Sequence, residues 1–204
     1  MDTSSHTAAA RTGTLRVPAD RGQAIGALIA GSFGLVFVWV NSGLLADGVA
    51  LALRIAGAVA FVAVVVAAQL TYRAMARAGR EGLAVPGPDR PPFRGAFWVV
   101  TAVEAVAIIV GVRVISQVFD APEAGVAWVA LVVGVHFVPL ARLFRHASFM
   151  ALAVVMSALG LAGLVMAVLG VGAAPIALVS GVGSGALLIG WALWGATRRI
   201  EISC

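Results

Sequence analysis

Residues 148–169 read SFMALAVVMSALGLAGLVMAVL, 22 residues without a charge in which Ser148 and Ser157 are the only polar side chains. The run lacks the two-residue alternation of a half-buried strand and the charged stripe of a surface helix. A helix of ~20 apolar residues crosses the hydrocarbon core of a bilayer, so this stretch reads as a membrane span. Working outward, similar runs lie at about 23–45, 49–72, 95–117, 124–144 and 174–196. Backbone groups in hydrocarbon must pair within the protein, which leaves helices or a closed barrel. Continuous runs, rather than ten-residue alternating segments, select helices. The expected fold is an all-α membrane protein, a six-transmembrane-helix bundle.

Composition agrees. The 204-residue chain is 61% hydrophobic and 11% charged, with mean hydropathy +1.03, far from the balance of a water-soluble domain. Six crossings leave roughly seventy residues for tails and loops, too few for a large soluble domain. The expected organisation is a polar N-terminal tail over 1–22, a transmembrane domain over 23–197 and a C-terminal tail over 198–204. The first tail shows neither apolar period and reads as unstructured or surface-lying, with arginines that suit anionic lipid. The first apolar run begins near Gln23 and is too long for a cleaved signal, so it reads as a retained helix.

The net charge of +5 points to sidedness rather than to nucleic acid, because every basic residue is arginine and most of them flank the spans. With the N-terminus in the cytoplasm, Arg11, Arg16, Arg21, Arg73, Arg77, Arg80, Arg90, Arg94, Arg142, Arg145, Arg198 and Arg199 lie inside. Only Arg54 and Arg113 fall toward the outer ends. The expectation is a multi-pass protein of the cell inner (cytoplasmic) membrane with both termini cytoplasmic. Trp98, Trp191 and Trp194 then sit near the inner interface, and Trp39 and Trp128 near the outer one. Arginine without lysine, beside abundant Ala, Gly and Val, suits a GC-rich bacterial genome. The one cysteine, Cys204, is terminal and forms no intrachain disulfide.

Breaks between spans carry turn residues: Asn41-Ser42-Gly43, Asp47-Gly48, the stretch from Pro86 to Pro92, Asp120-Ala121-Pro122-Glu123, the corner from Arg142 to Ser148, and Gly170 to Pro175. Only the connection from Arg73 to Arg94 is long. Gly22, Gly26, Ala30 and Gly34, and likewise Ala177, Gly181 and Gly185, recur every four residues. Such stripes let backbones approach closely, within the chain or against a partner or second copy. Residues 181–185, GVGSG, lack the preceding strand and following lysine of a phosphate loop. They also lack the glycine that an intramembrane serine protease has where Val182 stands. Ser184 therefore reads first as a packing residue.

Ionisable side chains at bilayer depth cost ~2.5–3.5 kcal/mol on insertion scales and mark a site by default. Glu104 and His136 are the two. Glu104 is nine residues past Gly95, ~14 Å deep at 1.5 Å per residue. Both residues stand sixteen positions from Asp120, the expected hairpin turn, which puts them level. The same reflection places Ser157 and Ser184, with Ser32 near them, at similar height. The candidate site is a midplane polar layer of Glu104, His136, Ser157 and Ser184. Pro139 removes the amide that pairs with the Val135 carbonyl, so a helix kink beside His136 is expected. Glu104 and His136 form either interhelical glue or a functional pair. Arg113 is expected to snorkel or to meet Asp120 or Glu123, and Arg54 likewise toward Asp47.

Val133-Gly134-Val135-His136-Phe137-Val138-Pro139-Leu140-Ala141, with its core His-Phe-x-Pro-Leu-Ala, resembles a pattern in small six-helix bacterial membrane proteins of unknown function. The resemblance covers helices 3 and 4 and implies a polytopic membrane protein with no named activity. No metal-ligand cluster, nucleophile with its base, or group of carboxylates points to an enzyme, and no metal or other cofactor is expected. The leading expectation is a non-catalytic accessory or sensor-like protein. The alternative is a small transporter that handles protons or a solute through Glu104 and His136. Expected partners are the lipid bilayer and, through the small-residue faces or the Arg73–Arg94 connection, another protein or a second copy.

Overall fold

The computed structural model describes residues 14–18, 21–80, 95–144, 147–197 and 199–203. Six helices long and apolar enough to span a membrane make up the body. They are α1 (Arg21–Asn41), α2 (Asp47–Arg80), α3 (Gly95–Gln117), α4 (Gly125–Phe144), α5 (Ala147–Val168) and α6. The last runs over Ala173–Thr197 and includes a π-helical stretch, Ala177–Val182. The membrane body is thus all-helical, and the chain is a polytopic membrane protein.

The turns form where the sequence breaks its apolar pattern. Short 3-10 turns at Ser42–Leu44 and Pro122–Ala124 lead into α2 and α4. α3 ends with Asp120 at φ 49°, and the Ala121 amide reaches back to the Ile115 carbonyl. α5 ends the same way, with Gly170 at φ 72° and the Val171 amide on Met166. Both are left-handed caps that satisfy carbonyls a helix end leaves unpaired. One boundary departs from expectation: α2 continues to Arg80, taking in Arg73 and Arg77. At ~51 Å it outruns a ~30 Å hydrocarbon core, so its last turns project beyond the membrane. The remainder of the long connection, 81–94, lies outside the described residues.

α6 is the axis of the bundle and packs against α1, α2, α4 and α5. Its small residues make this possible. A methyl on Gly34 would stand 2.7 Å from the Gly185 carbonyl oxygen, and one on Gly185 would stand 2.6 Å from that of Gly34. The two backbones touch there. Gly181 lies against the Asn41 side chain, while Gly26 faces open space. The α4–α5 seam is equally tight: Gly134 lies on Ser157, Gly160 on the Leu131 backbone, and Gly163 on Ser180 and Ala127. The glycines at these seams are therefore spent inside the chain, and Gly34, Gly181 and Gly185 offer no free face to a second copy.

Side chains finish the carbonyls at the end of α6. Gln23 Nε2 donates to the Gly195 carbonyl at 3.0 Å, and Thr71 Oγ1 to that of Ala196 at 3.1 Å. These bonds tie α1 and α2 to the terminus of the axis. Just beyond, β1 (Thr14–Pro18) pairs antiparallel with β2 (Arg199–Ser203), with Arg16 opposite Glu201. The first lies in the tail read from sequence as unstructured or surface-lying, the second in the C-terminal tail, and both form strand. Their alternating Leu-Arg-Val and Ile-Glu-Ile patterns fit a strand period. Pairing also sets the two ends of the chain on one face of the bundle.

Candidate functional site

α3 stands apart from the other helices. It packs on α4 and on the turn before it, and none of its residues is fully buried. Val99, Val103, Val106 and Ile109 are each more than half exposed, as a lipid-facing helix requires. Three contacts hold it at successive heights. Near the face that carries the termini, the rings of Phe97 and Phe144 lie 6.5 Å apart. Near the opposite face, the Trp128 indole N–H donates to the Ala107 carbonyl at 3.0 Å, its ring seated against Gly111. Between them, His136 Nδ1 lies 3.0 Å from Glu104 Oε2.

The Glu104–His136 contact forms at the height reflection predicts. Both side chains are largely withdrawn from the surface, 16% exposed for Glu104 and 10% for His136. The approach is close but not aligned, since Nδ1 remains a buried atom without a hydrogen-bond partner of good geometry. We read it as a contact rather than a formed hydrogen bond, because direction as well as distance sets hydrogen-bond strength. α4 continues as one helix through Pro139, which leaves the Val135 carbonyl without its amide one residue before the imidazole.

The structure divides the expected polar layer. Gly134 contacts Ser157 of α5, and His136 lies two residues on, about 200° round the helix. Ser157 therefore sits across α4 from Glu104. Ser184 is fully buried in α6, one turn before Leu188, which packs with Ala130, Leu152 and Met156. That too is the far side of α4, where the Ser184 hydroxyl has no partner. Ser32 is exposed and donates to its own helix at Leu28. Of these residues the structure brings only Glu104 and His136 together.

Other polar residues carry structure that the sequence did not announce. The Thr101 hydroxyl is buried and unpartnered one turn before Glu104, whereas Ser116 and Thr197 bond to their own helices. Ser180, inside the π-helical stretch, donates to the Leu159 carbonyl at 2.8 Å. Of the two alternatives for the arginines, snorkelling or a carboxylate partner, neither arginine takes the carboxylate. Arg54 Nε donates to Ser42 Oγ at 3.1 Å, and Arg113 is exposed with no ion pair to Asp120 or Glu123. An aromatic chain links Phe144, Phe149, Trp191 and Trp194, and Phe137 stacks on Phe149. It binds α4, α5 and α6 near the termini, consistent with an interfacial aromatic belt. Among the described residues no group of three His, Cys, Asp or Glu side chains is placed to hold a metal ion.

No protein-family model, curated protein or solved structure matches the chain.

Proposed function

We propose that this is a non-catalytic accessory or sensor-like membrane protein in which Glu104 and His136 form a proton-binding latch between α3 and α4. The observation that carries the reading is their 3.0 Å approach on a helix that has almost no other polar hold on the bundle. Counting protons gives the mechanism. With none, the pair carries −1; with one it is net neutral, as an ion pair or as acid and imidazole; with two it carries +1. Only the one-proton state pairs opposite charges, or an acid donor with a neutral imidazole acceptor, so docking of α3 is favoured in that state and loses this attraction on either side of it. Proton binding and helix position are thereby linked. The other ionisable groups on these elements are Glu123 in the turn, Arg142 at the end of α4, and Arg113 and Asp120 at the end of α3. All stand near the helix ends.

The arginine count supports placing both termini in the cytoplasm of a bacterial cell, with the pair midway across the inner membrane. The His-Phe-x-Pro-Leu-Ala resemblance is compatible with this reading and adds no activity to it. A transporter reading has one observation in its favour, the Val135 carbonyl freed beside His136. The described interior opposes it, because Ala, Val, Ile, Leu, Met and Phe side chains fill the helix contacts around α6. The test reconstitutes the chain in liposomes under a pH gradient. The sensor reading expects no proton flux above protein-free liposomes, with α3 protection factors, corrected for the intrinsic pH dependence of amide exchange, that vary with pH in wild type and not when Glu104→Gln is combined with His136→Gln. Proton flux lost in Glu104→Gln would favour the transporter instead.

A further inference from the structure

We propose that Arg54, held by Ser42 and Gly43 at the α1–α2 turn, binds the phosphate of a phospholipid headgroup in the leaflet opposite the termini. Arg54 lies seven residues inside α2, and its side chain brings the guanidinium up beneath the turn. Three neighbours fix it there. Ser42, fully buried, accepts from Nε at 3.1 Å and donates its own proton to the Trp39 carbonyl at 3.1 Å. A hydroxyl engaged in both directions does not rotate away. Cζ stands 5.7 Å above the Trp39 ring, within cation–π range. Nη2 lies 3.2 Å from where a side chain would begin at Gly43, so a larger residue there would crowd the guanidinium.

This arrangement uses one of five guanidinium donors and leaves the terminal fork without a carboxylate among the described residues. Asp47, the acid nearest in sequence on this face, is not paired with it. A planar fork fixed at its Nε edge matches two oxygens of a phosphate. Lipid is favoured over free phosphate by the surroundings: Trp39 is half exposed, and Leu51 and Ile55, beside Arg54 on α2, are each more than half exposed. They line the route an acyl chain takes below its headgroup.

The test measures association of spin-labelled phosphatidylglycerol with the full chain in phosphatidylcholine bilayers, against spin-labelled diacylglycerol, which has the tails without the phosphate. Wild type should select phosphatidylglycerol over diacylglycerol. Arg54→Gln should lower that preference by about tenfold, as expected for losing a charged hydrogen-bonding partner. Ser42→Ala, which keeps the charge and frees the fork, should lower it less and serves if Arg54→Gln does not fold. Equal selectivity in wild type and both variants would overturn the proposal. So would saturating inorganic phosphate abolishing the preference in wild type, since the site then belongs to a free anion.

Discussion

His136 Nδ1 and Glu104 Oε2 face each other at 3.0 Å, among the described residues the only interhelical contact on α3 that joins two ionisable groups, between an aromatic contact and an indole hydrogen bond. Their coupling is measurable. In a double-mutant cycle of Glu104→Gln and His136→Gln on stability, we expect an interaction energy of roughly 1–2 kcal/mol, near the upper end for polar pairs between membrane helices. Additive single effects would mean that the two groups do not sense each other.

Thr101 supplies the opposite kind of prediction. Its hydroxyl is buried without a partner, and an unsatisfied buried group costs ~1–3 kcal/mol. Thr101→Val keeps the shape and removes that cost, so thermal stability should be unchanged or higher. A loss would show that the hydroxyl finds a partner in another arrangement of α3.

The bundle axis depends on two glycines. Because each of Gly34 and Gly185 abuts the other's carbonyl oxygen, Gly185→Val must separate α1 from α6 and should prevent folding or cost several kcal/mol, on the order of the largest single-residue effects. Gly26→Val, in open space, should be tolerated. Similar melting temperatures for the two variants would contradict the packing.

At the end of the axis, Thr71 closes the Ala196 carbonyl from α2. Thr71→Val should cost about 1 kcal/mol, the typical net worth of one hydrogen bond. Amide exchange should also quicken in the last turn of α6 and in β2, which follows it. An effect confined to α2 would show that the bond does not anchor the terminus.

The length and period of the apolar runs made the six spans legible, and α3 spans 95–117 as read. Counting from Asp120 placed Glu104 and His136 at one height because an antiparallel hairpin fixes level arithmetically. Rotation about the helix axis is different information. Ser157 and Ser184 were read as level with the pair but lie on the other side of α4, which the Gly134–Ser157 contact and the packing of Leu188 reveal. Arg54 was legible as a snorkelling side chain, but its acceptor, Ser42, depends on how the turn folds. The π-helical stretch around Ser180 and the pairing of Thr14–Pro18 with Arg199–Ser203 rest on local geometry and on contacts between chain ends, which apolar periodicity does not encode.

The most direct test of the latch is a distance between α3 and α5 followed as pH is varied. Nitroxides at Ile109 and Leu161, both exposed, in a Cys204→Ser background, report it by pulsed electron paramagnetic resonance in nanodiscs. The account predicts a single short distance in an intermediate pH range and a broader, longer distribution on both its acid and alkaline sides, with neither change in Glu104→Gln paired with His136→Gln. A wild-type distance that stays the same across the whole range would contradict it.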